Sequence, residues 1–143
     1  MDTDWKNELG SFLDEKRKDK KEERRLELET FIRQVVMPAF HDLKGELEKH
    51  VRTVAIRDTP TSASIKVMHQ AEEEITYWIQ ARSFSDKTVP YPVVRFRERR
   101  GVRYVTTEGN FGSGAQSSAV QDVTKEDVIR NFLSYYMRHS REG

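Results

Sequence analysis

Apolar positions along this chain recur at two different periods, and the change falls near residue 50. Before it, Leu28, Ile32, Val35, Val36, Ala39, Leu43 and Leu47 recur three or four residues apart, which predicts one helical stripe from about 26 to 49. Pro38 interrupts that stripe. Proline removes a backbone donor, clashes with the preceding turn and disfavours helical geometry at Met37. The stripe keeps its phase across Pro38, so the expectation is one kinked helix rather than two. Gly45 weakens the second half by about 1 kcal/mol relative to alanine.

After His50 the period becomes two. Val54 and Ile56, then Ala63, Ile65 and Val67, then Ile75, Tyr77, Ile79 and Ala81 alternate as three short strands. Asp58-Thr59-Pro60-Thr61-Ser62 separates the first two, and Ala71-Glu72-Glu73 is expected as the second connection. Pro90 and Pro92 forbid a central strand over 85–92 and mark a loop or an edge entry. Val94 and Phe96 begin a fourth strand, Arg99-Arg100-Gly101 is a compact turn, and Val102 to Thr107 forms a fifth. Residues 109–118 read as a Gly/Ser-rich loop, and Ala119 to Val123 is a candidate sixth strand. Thr124-Lys125-Glu126-Asp127 supplies a hydroxyl cap and first-turn acids for a closing helix. Its apolar face would be Val128, Ile129, Phe132, Leu133 and Tyr136, with fraying after His139. Residue usage agrees: six of seven leucines precede residue 50 and eleven of thirteen valines follow it.

Short connections between alternating strands favour an antiparallel meander. The predicted fold class is therefore α+β: a long kinked N-terminal helix, five or six antiparallel strands, and a C-terminal helix packed on one face of the sheet. The predicted organisation is a charged helical arm and spacer over 1–25 and a single domain over 26–140.

The arm has its own pattern. Trp5, Leu9, Phe12 and Leu13 share one helical face, followed by DEKRKDKKEERR, charged at every position from 14 to 25. Continuing the seam puts Lys16, Asp19 and Glu23 where a coiled coil wants apolar knobs. Six of the eight i,i+4 pairs in this run carry like charges, so it reads as a solvated spacer, helical but easily frayed.

Composition narrows the function classes. Net charge is +1 across 143 residues, which gives no global field for nucleic acid or membrane. Cysteine is absent, which removes disulfides, thiolate catalysis and Cys-based zinc sites. No apolar run approaches the ~18 residues of a membrane span, so a protein of a reducing cytoplasm is expected. His41, His50, His69 and His139 lack the spacing of a helical metal site. Gly109-Asn110-Phe111-Gly112-Ser113-Gly114 lacks the following lysine and helix that a phosphate cradle needs. No nucleophile or acid–base pair stands out, so neither an enzyme nor a cofactor is expected.

Two surfaces remain. Five arginines against one glutamate over 95–103 make a basic hairpin, in which Arg95, Arg97, Arg100 and Arg103 could meet an anion or nucleic acid. The other is the Trp5, Leu9, Phe12, Leu13 face, whose aromatics are typical interface anchors. The favoured expectation is a non-enzymatic protein-interaction module that self-associates as a homodimer or higher oligomer, or binds another protein, through that face. A nucleic-acid-binding accessory protein is the alternative, and membrane binding is not expected because Asp2, Asp4 and Glu8 outnumber Lys6.

Overall fold

In the computed structural model, which describes residues 4–97, 103–112 and 118–141, the helical third is one unbroken rod. Helix α1 (Asp4–Phe31) passes into a π-helical turn (Ile32–Val36) and then into α2 (Met37–Glu48). The expected kink is thus a local widening. Met37 stays helical (φ −62, ψ −44) and its amide reaches back to the Ile32 carbonyl, one residue farther than in an α-helix. The wider turn accommodates the missing donor and bulky ring of Pro38 without ending the helix. It also lowers the rotation per residue, which swings Phe40 toward the centre of the buried stripe. Leu28, Phe31, Ile32, Val36, Ala39, Phe40 and Leu43 form the buried face.

The body is a five-stranded antiparallel meander in the order β1-β2-β3-β4-β5. Its strands are β1 (Thr53–Thr59), β2 (Ser62–His69), β3 (Glu72–Ser83), β4 (Thr88–Arg97) and β5 (Tyr104–Glu108). A 3-10 turn (Val120–Asp122) and α3 (Lys125–Arg141) follow. Four local expectations are corrected. Glu72 and Glu73 belong to β3, and the tight connection is Gln70-Ala71, both with positive φ. Asp58 and Thr59 belong to β1, which turns through Pro60-Thr61.

The third correction is that β4 starts at Thr88 and contains both prolines. Its pairing with β3 runs the full length from Ser83↔Thr88 to Ile75↔Phe96, whereas β5 pairs only from Val93 onward. The Pro92 carbonyl accepts from the Gly109 amide on the β5 side. In an extended strand the nitrogen and carbonyl of one residue point the same way, so neither proline withholds a donor from β3. Residues 88–92 are an edge within a longer strand. Fourth, the candidate sixth strand is the 3-10 turn, whose Val120 and Val123 are buried. The predicted turn Arg99-Arg100-Gly101 and the start of β5 at Val102 lie outside the described residues.

Both helical layers sit on one face of the sheet. Ile65, Tyr77 and Val94, aligned across three strands, point into the core with Val36, Phe40, Val128 and Phe132. Tyr77 lies between the layers, edge-on to Phe40 at 6.0 Å and to Phe132 at 5.5 Å. Its hydroxyl donates to Asn131 Oδ1 of α3 at 2.5 Å. Burial holds that phenol well above its ordinary pKa. Thr124 caps α3: the Asp127 amide donates to Thr124 Oγ1 (3.1 Å) and the Thr124 amide to Asp127 Oδ2 (2.9 Å). This is the reciprocal capping arrangement, with Asp in place of the usual Glu.

Candidate interaction surface

The side chains of the N-terminal arm reach water on the rod. Trp5, Leu9, Phe12 and Leu13 are 58%, 48%, 54% and 51% exposed. The charged spacer is helical throughout, so the arm stands off the body, about 15 Å from Leu13 to Glu23 at 1.5 Å per residue, where the helix reaches the body. Lys6 and Lys16 lay their ammonium groups 5.6 and 5.0 Å from the Trp5 and Phe12 ring centres. Such exposed cation–π contacts are weak, on the order of 0.5–1 kcal/mol, and leave most of each ring in water.

Where α1 meets the body, a groove of about 680 Å³ runs along the helix. Leu26, Thr30, Phe31 and Val35 form one wall, and Val120 and Val123 of the 3-10 segment form the other. Its floor is buried apolar surface, while Leu26 on the lip is half exposed. Glu23 and Glu27 rim the end nearer the arm. Sequence reasoning missed this groove, because the second wall comes from a segment about ninety residues away that was read as a strand.

Two of the four arginines named for the basic hairpin are met by acids of the neighbouring strand. Arg95 grips Glu73 with two charge-assisted hydrogen bonds, 2.8 Å from Nε and 2.7 Å from Nη2. The guanidinium also lies 5.5 Å from the ring centres of Trp78 and Tyr104. Arg97 pairs with Glu72 at 2.6 Å. Arg103 is exposed and has its own interaction, and Arg100 lies outside the described residues. Part of the local positive charge is therefore met inside the sheet by Glu72 and Glu73.

The acids arrive there through a β-bulge. Val67 pairs with Ile75 but Met68 pairs with Glu73, which leaves Glu74 as the extra residue. A bulge breaks the in–out alternation. Glu73 thereby joins Arg95 on the open face, while Glu74 turns to the helical side. There Glu74 accepts from Arg52 (3.1 and 3.2 Å) and from the Tyr136 hydroxyl (2.6 Å). Burial opposes the charge on both glutamates, but their hydrogen bonds and neighbouring cations, Arg95 first for Glu73 and Arg52 first for Glu74, together outweigh it and hold each carboxyl below its ordinary range. Burial first, and the Glu74 carboxylate second, push the Tyr136 phenol up to about 12. Among the described residues no group of three His, Asp or Glu side chains is placed to hold a metal ion.

These features define a helix-then-meander α+β protein with an exposed apolar arm. No protein-family profile matches the chain, and no solved structure matches it significantly. A glycine betaine transporter of Acinetobacter baylyi (strain ATCC 33305 / BD413 / ADP1) is 29% identical over 117 residues, covering 80% of this chain and 17% of the transporter. The chain thus spans about a sixth of the length of the curated relative it matches. No described helix is long and apolar enough to cross a membrane.

Proposed function

We propose that this chain is a non-enzymatic interaction module that associates with a second copy of itself through the N-terminal arm. The observation that carries this reading is the set of four half-exposed apolar side chains, Trp5, Leu9, Phe12 and Leu13, held on one face of a helix and away from the body. Leaving such side chains in water forgoes up to about 1.5–3 kcal/mol each. Two-fold pairing covers the same patch on both chains at once, and it is the commonest symmetry of soluble assemblies.

The transporter similarity supports a modular reading. The shared stretch is a small fraction of that protein, and the described part of this chain offers no membrane-crossing helix. On this reading the stretch is an accessory segment rather than the transport pathway, and the chain works on the cytoplasmic side, in company with a membrane transport protein. The nucleic-acid alternative has less support, because Arg95 and Arg97 already face Glu73 and Glu72.

Light scattering on the intact chain and on a Trp5→Ala/Phe12→Ala variant tests the proposal. The intact chain should scatter as a dimer or larger, and the variant should shift toward monomer while keeping the parent's far-UV circular dichroism and a cooperative unfolding transition. Equal masses for the two proteins would contradict it.

A further inference from the structure

The arm and the α1 side of the groove lie on the same face of one continuous helix. From Trp5 the positions Leu9, Phe12, Lys16, Asp19, Glu23, Leu26 and Thr30 follow at alternating steps of four and three residues. That spacing holds a single face along an α-helix, and α1 is helical over the whole run. Its first three positions are the apolar arm and its last three are among the residues lining the groove. The seam is apolar at one end, charged in the middle, and opens on an apolar groove at the other.

A rigid helix cannot bend its own N-terminus onto residues about 25 Å farther along the same face. Two copies laid side by side in opposite directions meet the requirement without bending. We infer that the groove between α1 and the 3-10 segment is the seat for the arm of a second copy, in an antiparallel two-fold pairing of α1 helices. This inference rests on the self-association reading above and adds to it the receiving surface and the direction of the helices.

Length and charge both fit. The apolar face from Trp5 to Leu13 is about 12 Å long, and the groove follows the helix from Glu23 to Val35, about 18 Å. Leu26, the exposed apolar residue on the lip, sets the register. If Leu9, Phe12 or Leu13 of one chain lies opposite Leu26 of the other, the two-fold axis falls between residues 17 and 20. Lys16 then lies opposite Asp19, Glu22 or Glu23 respectively, an acid in every case. In the Leu9 and Leu13 registers Asp19 also meets a cation, Lys16 or Lys20, so the charged centre that prevents a continuous apolar seam becomes a set of symmetric ion pairs. The Phe12 register sets Asp19 against its own copy and is disfavoured. In a parallel pairing Lys16 would face Lys16 and Glu23 would face Glu23, and the groove would receive no arm. Like charges placed directly across a helix pair oppose that arrangement.

The absence of cysteine makes a clean test possible. Two single variants, Leu9→Cys and Leu26→Cys, change exposed positions only and should fold as the parent does. Each is treated alone, and as a mixture, with a bismaleimide long enough to tolerate one helical turn of register, about 5.4 Å. The mixture should give the cross-linked dimer at least several-fold more efficiently than either variant alone. Strong cross-linking of Leu9→Cys with itself would mean parallel arms and would overturn the groove assignment. So would the absence of any cross-link in a sample that scatters as a dimer, and in both cases self-association would stand. A parent chain that is monomeric at the same concentration would remove the inference together with the reading beneath it.

Discussion

Tyr77 is the residue on which both layers converge, its ring wedged between Phe40 and Phe132 and its hydroxyl tied to Asn131. Phe132 is fully buried, edge-on to Tyr77 of β3 and against Tyr136 one turn along α3, so Phe132→Ala removes a ring from the middle of the packed layer. The expected loss is about 3–5 kcal/mol. An unchanged denaturant midpoint for Phe132→Ala would contradict the packing described. Glu74 gives a prediction about pH. Its folded pKa lies below the ordinary 4.5, so its bonds to Arg52 and Tyr136 stabilise the fold above about pH 4.5. That contribution is lost as pH falls through the folded value. Glu74→Gln should cost about 1.5–3 kcal/mol at neutral pH, as expected for hydrogen bonds to a charged group. It should also lose stability less steeply than the parent on acidification below pH 4.5. Parallel acid profiles for the two proteins would contradict this. Alternation alone identified Ile65, Tyr77 and Ile79 as inward-facing, and the helical face alone identified Phe132. The partners of Glu73 and Glu74 were hidden, because a bulge shifts the alternation by one residue and leaves no mark in composition.

At the scale of elements, the ends of α3 and the middle of the long helix illustrate opposite cases. Thr124 and Asp127 exchange hydrogen bonds across the first turn; the Thr124 hydroxyl was visible as a cap, whereas Asp127 was visible only as a first-turn acid. Thr124→Ala should cost about 1 kcal/mol and Thr124→Ser should recover most of it. Thermal unfolding of the two variants checks this, and an Ala variant as stable as the parent would remove the cap from the account. Pro38 was read correctly as an interruption within a continuing helix. Its consequence, a π turn that brings Phe40 into the core, depends on how a buried rod packs on a sheet rather than on local preference. Pro90 and Pro92 were read as a loop or an edge entry, and the choice between the two stayed open because the length of the neighbouring strand was unknown. Only with β5 ending opposite Val93 does their side of β4 become free. The Ala119–Val123 stretch shows the limit of short apolar runs, which suit a strand and a buried 3-10 turn equally well.

For the whole molecule, the order of helix, five-strand meander and helix was legible because each element carries its own period over many residues. The candidate surface was half legible. The arm is local in sequence, whereas the groove joins residues near 30 to residues near 120 and exists only after folding. The functional account rests on the arm burying its apolar face against a second copy. Sedimentation velocity of the intact chain over a dilution series, beside the Trp5→Ala/Phe12→Ala variant, measures this most directly. The account predicts that the intact chain moves with at least twice the 16.8 kDa mass of one chain at high micromolar concentration and dissociates on dilution, while the variant stays near 16.8 kDa. An intact chain that sediments as a monomer at high micromolar concentration would contradict it.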